Sequence, residues 1–433
     1  MKNDTRFIGS RSPARTQGPR PQAGFTLIEL MISLTIGLFI VLALLTLLIN
    51  VNRNNGELTK TNRMIENGRF ALQLLQSDVS QAGYWAGYLP PYDDLSNTTA
   101  PNPWDLPDTV PDPCVAYSAG WTATGTFSIT GNPASYLTDL LGTAVQTYEI
   151  PDPVPSPTLP VCAGVVTNPQ PATDVLFVRH LDTCSVGDPG CAPMAAGMPY
   201  LQLNRCYNST SPGYSTTTYV FGTDTTAFDL HQRDCTPAIA PGPGTVGTLS
   251  PITQYVSNLY YIRNYSDTPG DGIPTLVRSQ YGLVTVSGVP VPQYQPQQAF
   301  ISGIDGFRVE LGVDSVSATG AALSTPTFAQ PINYPDPNKM ITPTNRGDGY
   351  PDGVYVHCTA AAPCTPFQFM NTVALKIYVL ARGDSPSPGY VDTKTYQLGS
   401  TSMGPFNDGY KRHLFTQTIR LTNVSGRRET PPS

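Results

Sequence analysis

The stretch Gly24-Phe25-Thr26-Leu27-Ile28-Glu29-Leu30 opens an apolar run, GFTLIELMISLTIGLFIVLALLTLLIN, in which Glu29 is the sole charged residue before Arg53. Residues 25–49 as a helix would extend roughly 37 Å at 1.5 Å per residue, enough for a hydrocarbon core of about 30 Å. The run is too long for the apolar part of a secretory signal, and no small-x-small cleavage site follows it. Residues 1–24 carry Lys2, Arg6, Arg11, Arg15 and Arg20 against Asp4, a net charge of +4. That excess places the leader in the cytoplasm and the bulk of the chain on the far side of a membrane. Glu29 has two readings: an interfacial acid that snorkels to the headgroups, or a residue kept for a partner.

The chain has 433 residues and a formal charge of −6, with 13% charged residues, 38 Gly and 44 Pro. Without the +4 leader, 409 residues remain with a charge of −10. An acidic exported surface excludes nucleic acid as a partner, because binding there depends on phosphate neutralisation by Lys and Arg. Eight cysteines, Cys114, Cys162, Cys184, Cys191, Cys206, Cys235, Cys358 and Cys364, all follow the apolar run. An even number in an oxidising compartment reads as disulfides. Spacing favours Cys184–Cys191 and Cys358–Cys364; Cys114–Cys162 and Cys206–Cys235 are one way to pair the other four, and connectivity stays open at this point.

The helix is expected to continue through residues 50–83. Val51, Leu58, Ile65, Leu72 and Val79 recur every seven residues, joined by Leu75 and Ala82, and form an amphipathic stripe suited to packing on a sheet. Gly37, Gly56 and Gly68 read as points where this helix can bend, and Gly83 with Pro90-Pro91 ends it. Residues 84–250 contain PPYDD, PDPVPSP and APGPG and most of the cysteines, with strand candidates at 174–181 and 216–223. This segment reads as a loop-rich, disulfide-stapled variable region. Residues 251–433 read as an antiparallel sheet region, with alternating strands at 254–265, 307–314, 371–382 and 413–424. One long helix followed by strands implies an α+β fold.

The basic leader, Gly24, Phe25, Glu29 as fifth residue of the apolar run, and the run itself together resemble the type IV prepilin cleavage and methylation signal. The resemblance implies that a prepilin peptidase cuts after Gly24 and methylates the Phe25 amine. It also implies that residues 25–49 serve first as an inner-membrane anchor and then as part of a filament core, where Glu29 pairs with the N-terminus of a neighbouring subunit. The end of the helix, ENGRFALQLLQSDVSQAGYWAGY (Glu66–Tyr88), with Arg69, Asp78, Gly83 and Tyr84, resembles PilW-type minor pilins, as does the closing YKRHLFTQTIRLTNVSGRR. These likenesses imply a pilin-like fold and a minor pilin that takes part in pilus assembly and priming at the tip. Implied partners are other minor pilins, the major pilin and a tip adhesin. The domain would lie in the periplasm and later on the pilus. The alternatives are a minor pseudopilin of a type II secretion system, and an adhesin that binds a surface through residues 84–250.

No nucleophile–base pair, H-E-x-x-H or phosphate-binding loop occurs, so no catalytic residue and no cofactor is expected. The one metal candidate is calcium, at two acidic turns: Asp267 and Asp271 in SDTPGDG, and Asp348 and Asp352 in TNRGDGYPDG. Each has too few oxygen donors in sequence for a full calcium loop, and Asp-Gly turns account for both.

Overall fold

A computed structural model describes residues 24–96, 98–100, 106–114, 122–124, 140–155, 162, 164–211, 214–235, 249–336, 338 and 343–429. The leader before Gly24 lies outside the described residues. The chain divides into a unit up to Thr59 and a unit from Lys60 onward. A single helix, α1 (Leu27–Val79), runs through both.

In the first unit α1 is apolar on every side up to Ile49, and Leu27 through Ile49 expose their large side chains. A helix apolar all round belongs in lipid or in a core made by other chains. The helix passes Gly37, Gly56 and Gly68 without a break.

In the second unit α1 buries one face, formed by Met64, Gly68, Ala71, Leu72, Leu75 and Val79. The steps of three and four between them keep one side of a 3.6-residue helix facing inward. This corrects the seven-residue stripe: Val51 and Leu58 are exposed and Ile65 only half-buried. Met64, Gly68 and Ala71 take the inward positions. Gly68 is there because of what lies against it. A Cβ at this position would stand 2.1 Å from Cε2 of Phe415, so the glycine is a contact point and not a hinge.

The β-structure forms two sheets and a hairpin among the described residues. The first sheet contains β1 (Thr122–Thr124), β2 (Val145–Glu149), β3 (Asp174–Ser185), β4 (Tyr200–Leu203), β5 (Tyr219–Gly222), β6 (Ile252–Arg263), β7 (Thr275–Val286), β8 (Val289–Tyr294) and β9 (Gln298–Ser302). Its spine is the antiparallel pairing of β3 with β6 and of β6 with β7. Strands on either side of residue 250 therefore share one sheet, and the variable region of the sequence reading is built into the same core as the strands that follow it. The second sheet has the order β11 (Val356–His357), β10 (Ile304–Val313), β12 (Thr372–Arg382), β15 (Arg412–Arg420), all antiparallel. The hairpin pairs β13 (Tyr396–Leu398) with β14 (Thr401–Met403). Two short helices, α2 (Thr325–Phe328) and α3 (Pro366–Met370), lie in the connections.

One buried carboxylate ties the sheets together. Asp174 at the start of β3 accepts from Arg308 Nη1 at 2.6 Å and from the Val309 N–H at 2.8 Å, both on β10, and lies 3.1 Å from His357 Nε2 on β11. Arg308 completes its charge balance on Glu149 of β2 at 3.0 Å. Burying these charges is tolerable because each meets an opposite charge or a hydrogen-bond donor.

The expected last strand over 413–424 ends at Arg420, and Thr422–Arg428 forms a helix, α4. Leu421 turns the chain by burying its side chain and bonding its N–H to the Val373 carbonyl. Asn423 then donates Nδ2 to the carbonyls of Ser80, Gln81 and Ala82 just past the end of α1, the groups a helix end leaves unsatisfied. Arg428 of α4 is wholly buried between Asp93 at 2.9 Å and Asp314 at 3.4 Å, and Arg427 holds the other oxygen of Asp93 at 3.0 Å.

The eight cysteines form Cys114–Cys162, Cys184–Cys191, Cys206–Cys235 and Cys358–Cys364, with Cα separations of 5.0, 5.7, 5.0 and 5.0 Å. Three bridges staple the connections around the first sheet, and the fourth joins the end of β11 to the loop before α3.

Gly83 follows α1 with φ of +73°, and a Cβ there would stand 2.7 Å from Val424 Cγ2 on α4. Gly83→Ala should lower the stability of the chain by about 1–3 kcal/mol, from the left-handed backbone and the clash together. Denaturant unfolding in detergent checks this; a midpoint equal to wild type would contradict it.

Candidate assembly site

Gly24 precedes α1 with open space around the position of a Cβ, and Phe25 is 87% exposed. The peptide between them is accessible. Thr26 then caps the helix. Its N–H and Oγ1 both donate to Glu29 Oε2, at 2.9 and 2.8 Å, and the Glu29 N–H donates to Thr26 Oγ1 at 3.3 Å. This is a reciprocal capping box. Sequence reasoning passed over Thr26, although the signal was there in Thr-x-x-Glu at the head of an apolar run. Both bonds from Thr26 fall on Oε2, and Glu29 Oε1 has no protein partner among the described residues. The acid is thus oriented by its own chain with one oxygen left over.

The second unit presents a polar clasp at the other end of α1. Asp78 accepts two bonds from Asn258 Nδ2 of β6, at 3.0 and 3.1 Å, and lies 3.1 Å from His180 Nε2 of β3. His180 Nδ1 is 2.8 Å from the Leu181 carbonyl. Both ring nitrogens face acceptors, so the doubly protonated ring is the form this site satisfies. Burial opposes the charge, yet the hydrogen bond and charge of Asp78 outweigh it and raise the pKa of His180. The Tyr84 carbonyl accepts from the Leu181 N–H, and Gly83 donates its N–H to the Arg179 carbonyl. Of the four residues in the pilin-like helix end, Asp78, Gly83 and Tyr84 therefore join α1 to β3, while Arg69 is exposed.

The acidic turns are braced by their own carboxylates. Burial alone would raise Asp271, but the N–H groups of Ile273, Asp267, Ser266 and Thr268 outweigh it and bring the pKa to about 2. Asp352 accepts from the N–H groups of Ser315 and Val316, and Asp348 from that of Tyr350. Asp267 gives its N–H to Asp271. The oxygens of three of the four are engaged by backbone donors. A further cluster, Asp112 with Cys114 and Cys162, has its sulfurs in a disulfide, and Asp112 accepts from the Cys114 N–H. In the variable region, a cleft of about 480 Å³ is walled by Tyr88, Tyr207, Tyr214 and Tyr219 with Asp94 and Asn204. Tyr207 is 82% exposed on it.

Residues 19–45 match the prokaryotic N-terminal methylation motif, and residues 259–423 match the type IV pilus-assembly protein W family. The chain matches a PilW-type pilin with a prepilin signal. No curated protein and no solved structure matches it. The PilW match begins within β6 and ends in α4, so it takes in the whole second sheet and leaves Glu66–Tyr88 and the variable region outside. The two families indicate a structural pilin, and the motif implies processing by a prepilin peptidase and partners in pilus assembly. The exposed apolar half of α1, a candidate membrane span, suits an inner-membrane anchor with the remaining domain outside.

The His180 clasp carries a pH prediction. A histidine pKa raised above about 6.5 contributes stability that is complete below that value and lost as pH rises through the raised one. Unfolding midpoints of the full chain in detergent should therefore fall as pH rises above about 6.5, and His180→Asn should flatten that fall. An unchanged slope in the variant would remove His180 as its cause.

Proposed function

We propose that this PilW-type pilin is a minor pilin that joins other minor pilins to prime the type IV pilus and stays at its tip. The observation that carries the reading is the Thr26–Glu29 box at the head of a helix whose first half, up to Ile49, has no apolar partner among the described residues. In this reading a prepilin peptidase cuts after Gly24 and methylates Phe25, which leaves a positive amine one residue ahead of the cap. Glu29 Oε1 is the acceptor for the amine of a neighbouring subunit, while Oε2 stays with Thr26. Attraction between the two is offset by the loss of their hydration. The pair therefore acts mainly as a register: a subunit displaced along the filament axis leaves a carboxylate alone in an apolar bundle. The domain from Lys60 onward is held in the periplasm until assembly carries it out. The PilW match supports the pilus over a type II secretion pseudopilin.

A second reading rests on the tyrosine-walled cleft: the same subunit at a tip would offer Tyr207 and Tyr214 as flat apolar surfaces to an external ligand. A glycan array probed with the detergent-solubilised chain and with Tyr207→Ala tests it, and binding unaltered by the substitution counts against the cleft.

N-terminal sequencing of mature protein should begin at Phe25 with a methylated amine, and Gly24→Val should keep the leader. Glu29→Val should be processed and remain in the membrane, because the change makes the span more apolar. Its amount in sheared pili, at matched membrane levels, should drop well below wild type. Equal incorporation would refute the pairing role and return Glu29 to an interfacial acid.

A further inference from the structure

β7 leaves the first sheet half-way along its length. Thr275–Gln280 pair with β6, but from Tyr281 to Val286 the strand pairs with β8 alone. The turn is Ser287-Gly288, with φ of +51° and +83°, the two-residue primed turn that suits a twisted ribbon. Such a turn makes Val286 and Val289 a mutually bonded pair, and alternation then bonds Val284 with Val291 and Gly282 with Gln293. The bond from Gln295 N–H to Gln280 O, at 2.9 Å, fixes the same phase.

This phase gives the ribbon two unlike edges. Pro290 and Pro292 lie at the outward-facing positions of β8, so that edge has lost two donors and is closed to strand addition. Directly opposite them in register are Thr285 and Leu283 of β7. Their N–H groups also point away from the ribbon, and no hydrogen bond to either occurs among the described residues. One edge is guarded and the other is open. The open one carries Leu283, Val284, Thr285 and Val286, of which Leu283 is 38% and Val286 46% exposed, and Val289 across the turn is 60% exposed. No charged residue occurs between Arg278 and Asp305.

We propose that the Leu283–Thr285 edge of β7 pairs with an extended, uncharged segment of a neighbouring pilin subunit. The backbone supplies the affinity, as in strand addition to any open edge. The uncharged flanks set the chemistry of the occupant, since a charged cross-strand neighbour would lie against Leu283 or Val284 without a counter-charge. The inference rests on the pilus reading above, which supplies the neighbour.

The test copies the arrangement of β8 onto β7. Leu283→Pro and Thr285→Pro remove outward donors and leave every ribbon bond in place; Thr285→Val changes the side chain and keeps the N–H. Each is expressed as the full chain in cells in place of wild type, with thermal unfolding in detergent as the folding control. The proline variants should unfold like wild type yet appear in sheared pili at least several-fold less, while Thr285→Val matches wild type. A benzoylphenylalanine at Ser287 should crosslink in wild type to another pilin subunit, and that crosslink should vanish with Thr285→Pro. Equal incorporation of the folded proline variants, or a crosslink to a second copy of this chain or to lipid instead, overturns the inference and leaves the pilus reading standing. If both proline variants fail the unfolding control, the wild-type crosslink decides: to another pilin it upholds the proposal, and without one the proposal falls. Absence of the wild-type chain from pili removes the reading and the inference with it.

Discussion

One helix has to meet two solvents. Up to Ile49, α1 shows apolar side chains on all sides, and from Met64 it buries one face and exposes the other. No change of backbone marks the transition, because a helix satisfies its own backbone polar groups in lipid and in water alike. The difference lies entirely in the side chains. The buried contacts of α1 in the second unit gather at its narrow inward face and its end: Phe415 against Gly68, Asn258 and His180 on Asp78, and Asn423 at the carbonyls past its end.

Charge is sparse in this protein, and much of it is buried in pairs. Asp174 with Arg308, Asp93 and Asp314 with Arg428, and Asp305 and Asp392 with Arg412 sit at junctions between elements. A lone charge left in such a place costs several kcal/mol, so each junction accepts only the arrangement that brings its counter-charge. Apolar contacts alone would let the two sheets slide. These pairs give the packing a single register, and the disulfides shorten the loops that could compete with it.

The open edge of β7 and the exposed half of α1 are alike in kind. Each leaves a largely apolar surface that the other described residues of the chain do not cover. In a soluble monomer both would be aggregation hazards. In a subunit that is anchored in lipid and then packed in a filament, they are surfaces awaiting neighbours.

The sequence by itself determined the periodic and local features. The leader charge, Gly24, the apolar run and Glu29 were legible because each acts through its position along the chain. So were the inward residues of strands such as β10, through their alternation, and the α+β order. Neighbouring cysteines could be matched by spacing for the same reason. What only the tertiary structure decided involves residues far apart in sequence. His180 reaches Asp78 across 102 positions and Asn258 reaches it across 180, and neither has a local pattern. Gly68 looked like a hinge because a glycine's backbone freedom is visible in sequence, whereas the ring of Phe415 that requires it is not. Residue 250 looked like a boundary because composition changes there, yet hydrogen bonds between β3 and β6 ignore composition. Local signals record what a residue does to its own backbone; which face it finally meets depends on the whole chain closing around it.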